Sequence, residues 1–80
     1  MFQLIALKNA LPNDVFMYGR KDADPKRLHL GVCSDPKGGD PSILHMSYLS
    51  DGLSLWSHSL FEKVKRYSYF YGIRRHNSLV

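Results

Sequence analysis

Eighty residues carrying eleven Lys and Arg against seven Asp and Glu, for a net charge of +4, describe one small basic domain with no room for a second core. A chain this short buries only about 60 % of the surface that its unfolded form exposes, so extra stability from a metal, a disulfide or self-association would be useful to it. Its one cysteine, Cys33, excludes an intrachain disulfide and fits a reducing compartment, and no run approaches the roughly 20 apolar residues that span a bilayer.

The first stretch, MFQLIALKN, has one short apolar run without a basic segment before it or a small-residue cleavage site after it. It reads as a strand over 2–8 rather than as a signal peptide, and the chain as soluble and cytoplasmic. Four further runs of strand length follow, at 15–20 (VFMYGR), 28–33 (LHLGVC), 43–50 (ILHMSYLS) and 53–58 (LSLWSH). Between them stand turn residues: Asn13-Asp14, Asp22-Ala-Asp24-Pro25, Ser34-Asp35-Pro36, Gly39-Asp40-Pro41 and Asp51-Gly52. Links this short favour antiparallel pairing, since parallel crossovers need a dozen or more residues. The longest link, 34–42, holds Lys37-Gly38-Gly39, but two Asp-Pro pairs interrupt it and no helix follows, so it reads as a polar loop rather than a phosphate cradle.

Asp51-Gly52 between alternating runs predicts a two-residue type I′ hairpin turn. Tyr48 would then face Leu55, Met46 would face Ser57, and His45 would face His58. One side of that ribbon carries Leu44, Met46, Tyr48, Leu53 and Leu55, which reads as the core face. The other carries His45, Ser47, Leu49, Ser54, Trp56 and His58. A three-residue loop with Gly52 in a bulge would separate the two histidines.

Ser59-Leu60-Phe61-Glu62 matches the capping box that opens helices. From it, Leu60, Val64, Tyr67 and Tyr71 fall in one stripe at 100° steps, and Gly72 stands where a C-cap glycine belongs. The pattern predicts a helix over 60–71 packed on one sheet face. The competing reading ends the helix near Arg66 and makes Tyr67, Tyr69 and Tyr71 one side of a sixth strand, because aromatic residues prefer strands.

Charge is distributed unevenly. Residues 1–61 carry six basic and six acidic side chains, whereas residues 62–80 carry Lys63, Lys65, Arg66, Arg74 and Arg75 against Glu62 alone. An excess confined to one end points to a polyanionic partner. Lys65, Arg66 and Tyr69 fall opposite the helical stripe, and Arg74, Arg75 and His76 follow the cap. Aromatics among cations hold single-stranded nucleic acid by stacking, without base readout.

A binding surface for nucleic acid or an acidic protein, built from Lys65, Arg66, Tyr69, Arg74, Arg75 and His76, is therefore the first functional expectation. The alternative is a protein–protein module or inhibitor that uses the face of His45, Leu49, Trp56 and His58, or a sheet edge. A metal at His45 and His58 lacks further ligands, and no cofactor motif is present. Cys33 and the serines sit in no nucleophile motif, so catalysis is not expected. An RNA-cleaving site at Tyr71, Arg74, Arg75 and His76 stands as a further alternative. The fold expected is α+β: one domain over 1–80, a mostly antiparallel sheet of about five strands and a C-terminal helix, with self-association open.

Overall fold

The computed structural model describes residues 2–21, 28–36, 39–47 and 52–76. Six strands form one antiparallel sheet: β1 (Phe2–Ile5), β2 (Val15–Gly19), β3 (His29–Asp35), β4 (Ser42–Ser47), β5 (Gly52–Ser57) and β6 (Tyr69–His76), in the spatial order β1-β6-β2-β3-β4-β5. The class is α+β as expected, with little helix. Strands β2 to β5 form a meander joined by short links. The chain then leaves edge strand β5 and crosses one face of the sheet through a one-turn helix, α1 (His58–Phe61), and a 3₁₀ turn at Lys65–Tyr67. It returns as β6, which inserts between β1 and β2 and pairs with both.

The crossover decides which face is the core. Phe61 lies flat on the Tyr18 ring, centroids 3.9 Å apart and planes within 5°, and it also meets His45 and Trp56. Tyr67 stacks on His29 at 4.1 Å. Beneath them the inner face presents Phe16 and Tyr18 from β2, Cys33 from β3, Ile43 from β4 and Ile73 from β6, all essentially without solvent contact. Gly31 makes this layer possible, because a Cβ there would collide with the γ2 methyl of Ile43. Burying a ring such as Phe61 is worth about 1.5–3 kcal/mol, so a crossover of this length holds its place through a few large side chains.

The helix expected over 60–71 is replaced by the short α1, the 3₁₀ turn and strand β6. Of its stripe, Val64 and Tyr67 do pack on the core, but Leu60 is exposed and the adjacent Phe61 is buried in its place. The reason is competition for backbone hydrogen bonds. An isolated helix of this length is marginal in water, whereas Tyr69–His76 fills a gap between two strands and is paired on both sides. The sixth-strand reading therefore describes this segment better.

The capping box does not form. The Ser59 backbone N–H and hydroxyl both donate to the Asp40 carboxylate at 2.8 Å, which ties α1 to the loop before β4. Gly72 does use positive φ (130°), but at a bulge where β6 slips against Met17 and Tyr18 rather than at a helix end.

The β4–β5 ladder also differs in register. Ile43 faces Trp56, Leu44 faces Leu55, His45 faces Ser54, and Ser47 faces Gly52 as the last pair. The connection therefore takes in residues 48–51 rather than Asp51-Gly52 alone, and Tyr48, Leu49 and Asp51 lie outside the described residues. His45 and His58 are not opposed across the ladder. The slip is even, so the grouping of residues by side survives, but the sides are exchanged: Leu44, Met46, Leu53 and Leu55 are exposed and His45 is buried.

Candidate functional site

The residues expected to hold a polyanion separate into two groups at opposite ends of β6. Tyr69 begins the strand, opposite Gly19 at the end of β2, and is 41 % exposed. Its ring meets Tyr71 edge-on, centroids 4.8 Å apart. The Tyr71 hydroxyl donates to the Arg20 carbonyl, which draws the end of β2 against the start of β6. Just before β6, the 3₁₀ turn carries exposed Lys65 and Arg66 and is closed by the Ser68 hydroxyl donating to the Lys65 carbonyl at 3.1 Å. Arg20 and Lys21, exposed at the end of β2, join the same end of the sheet. The result is two half-open phenol rings at the end of the sheet where four exposed cations follow β2 or precede β6.

Five residues further along, or about 17 Å at strand rise, Arg74, Arg75 and His76 pair with Leu4, Gln3 and Phe2. Arg74 is exposed on the face away from the crossover. Arg75 is occupied structurally. Its Nε and Nη2 donate to the two oxygens of Asp14 at 2.8 Å each, and Nη2 also reaches the Asn9 carbonyl. Asp14 is almost fully buried and takes a further hydrogen bond from the Leu11 N–H. Burial alone would raise the Asp14 pKa. The Arg75 hydrogen bond, the Leu11 N–H and the guanidinium charge outweigh it and hold the carboxyl below the ordinary Asp range. This bidentate pair fastens the turn before β2 to β6 and commits Nε and Nη2 of Arg75 to the fold.

The alternative interface lies inside the fold. His45 and His58 are buried, Trp56 is half-buried under Phe61, and Leu49 is outside the described residues. The Tyr18 hydroxyl and His58 Nδ1 are 2.7 Å apart, and His29 Nε2 and His45 Nδ1 are 2.8 Å apart. Burial lowers the pKa of all three imidazoles, and the neighbouring His29 pushes that of His45 down further, to about 4. The His29–His45 contact is accordingly a bond between neutral rings, one donating and the other accepting. His45 Nε2 is buried with no hydrogen-bond partner among the described residues.

No set of three or more His, Cys, Asp or Glu among the described residues is arranged to hold a metal. Cys33 is buried, and burial, with Asp14 and Asp35 nearby, raises its thiol pKa, which makes it a poor nucleophile. No helix among the described residues is long and apolar enough to cross a membrane.

No family model matches this chain, and neither the curated proteins nor the solved structures contain a match to it. Function has to be argued from the surface itself. Sequence reasoning found Lys65, Arg66 and Tyr69 but missed Arg20 and Lys21, which reach the site only through the β2–β6 ladder. A pairing between residues some fifty positions apart leaves no local signal.

Proposed function

We propose that this chain is a non-enzymatic binding protein that holds a polyanion, single-stranded nucleic acid first, at the end of the sheet where β2 finishes and β6 begins. The observation that carries the reading is the exposed Tyr69, edge-on to Tyr71, at the end of the sheet where the exposed Arg20 and Lys21 follow β2 and the exposed Lys65 and Arg66 precede β6. A phenol face offers stacking to any base, and the cations follow the phosphates. Arg74 extends the positive field along the outer side of β6, and Arg75 contributes to the fold instead.

The test is fluorescence anisotropy of a labelled single-stranded oligonucleotide over a range of salt concentrations. Affinity should fall steeply with salt, and neutralising Lys65 and Arg66 together should flatten the log–log slope by about 1.4, at roughly 0.7 per phosphate contact. Tyr69→Ala should weaken binding by about 1–3 kcal/mol with little change in slope. Arg75→Gln should lower stability and leave the slope alone. Absence of salt-dependent binding, or variants at Lys65, Arg66 and Tyr69 that bind like the parent, would refute the proposal.

A further inference from the structure

The sheet face turned away from the crossover carries aliphatic side chains. Leu30 and Val32 come from β3, Leu44 and Met46 from β4, and Leu53 and Leu55 from β5, with exposures from 39 % at Leu44 to 66 % at Leu53. Val32 pairs with Leu44 and Leu44 with Leu55, one rank across three strands. Met46 and Leu53 belong to the next rank. An antiparallel sheet that leaves one face in water normally alternates apolar inward and polar outward. Here the outward positions of β3–β5 carry these aliphatics, and the inward ones include two histidines, His29 and His45.

We propose that this face is the two-fold interface of a homodimer, in which a second copy lays its own β3–β5 surface against it as the second sheet of a sandwich. Size supports this. The six side chains leave on the order of 600 Å² of apolar surface open, at the top of the range for a single patch on a monomer. With a rim added, that approaches the roughly 800 Å² per partner of a standard stable interface.

Charge selects the occupant. Among the described residues, the ranks of β3, β4 and β5 that carry these aliphatics hold no ionisable side chain, and the charge that borders them is the carboxylate of Asp35, opposite Ser42 past the β3 bulge, so a nucleic acid would find no cation there. A second copy needs none. Among the described strand residues, the Lys or Arg on this side is Arg74 on β6, three strands from β4 and so about 14 Å away from it. A two-fold axis over β3 and β4 carries the two copies of Arg74 to opposite rims, beyond the screening length of about 8–10 Å. A chain of net charge +4 can therefore pack on itself without burying like charges. The gain also goes where it is needed, because an 80-residue chain with one covered sheet face is short of core.

Sedimentation velocity on the native chain between about 5 and 200 μM should show a monomer–dimer equilibrium, the range in which a standard-size interface of ordinary quality associates. Met46→Glu with Leu55→Glu, both at exposed positions, should keep the far-UV circular dichroism of the parent and weaken association by roughly 100-fold or more. Met46→Lys with Leu55→Lys should behave alike, and mixing the acidic and basic variants should restore the dimer. Should a variant fail to fold, isotope-filtered NMR on mixed labelled and unlabelled native chains reads the same contact, as methyl cross-peaks between copies from Leu44 and Met46. A native chain that stays monomeric throughout overturns the proposal, as does a dimer indifferent to both variants or lacking those cross-peaks. Flotation of a monomeric native chain with neutral phospholipid vesicles would also overturn it and assign the face to lipid.

Discussion

The two faces of the sheet bury their side chains by different means. The inner face is a mosaic of rings: Tyr18, His29, His45 and Trp56 lie under Phe61 and Tyr67, and Phe16 meets Tyr18, with His58 against Phe16 and Phe70. The outer face has the better hydrophobes, Leu, Val and Met, left exposed without cover from the described crossover. Hydrophobicity alone would have assigned the two roles the other way round. What separates them is the location of the covering element. The 58–68 crossover brings two large aromatic residues down on one side, and aromatic stacking together with shared imidazole and phenol protons makes that side close-packed.

Removing the cover tests this contrast most severely. Phe61→Ala takes away the ring that touches Tyr18, His45 and Trp56 together, and should cost about 3–5 kcal/mol in urea unfolding. For so small a domain that is most of its stability. A loss under about 1 kcal/mol would mean that the crossover is not what holds the inner face together.

Acid should act next most strongly, and through the inner face. His45 has a folded pKa near 4 against an unfolded value of 6.5, so the unfolded chain binds its proton more readily. Its contribution is complete above about pH 6.5, is lost as pH falls toward 4, and levels off below that. The shift corresponds to roughly 3 kcal/mol. His29 and His58 shift in the same direction, and Asp14, with its lowered pKa, adds a further loss at lower pH as its carboxylate is protonated. Unfolding midpoints measured from pH 7.5 to 4 check this. His45→Phe should flatten the dependence, and it removes the unpartnered Nε2 as well.

The smallest effect belongs to the outer face. Leu53→Ser, at the most exposed of the six aliphatic positions, should change the stability of dilute protein by no more than about 0.5 kcal/mol. A loss comparable to that of a core truncation would show that Leu53 is covered within the single chain and would remove the contrast between the faces.

Much of the sheet was legible because alternation with period two is a local property. Leu44, Met46, Leu53 and Leu55 were grouped together correctly although the hairpin register was off by four positions, since an even slip leaves every side chain on its side. The turns at Asn13-Asp14 and before β4 were marked by their residues, and Asn13 does adopt positive φ (75°). The second role of Asp14 was not legible, because its partner Arg75 is sixty-one positions away. The candidate site was half legible for the same reason. Lys65, Arg66 and Tyr69 are neighbours in sequence, whereas Arg20 and Lys21 join them only through strand pairing.

Composition and periodicity by themselves determined a single basic α+β domain, five of its strands, the grouping of residues by side and the basic character of the C-terminal quarter. The tertiary structure decided three things: that 69–76 is a strand, that the histidine and tryptophan side is the core, and that the basic residues divide between two ends of β6. The reason is common to all three. Periodicity reports which residues share a side, but which side is dry depends on where a distant segment lands. A residue run that can serve as helix or strand takes the form whose hydrogen bonds a neighbour completes.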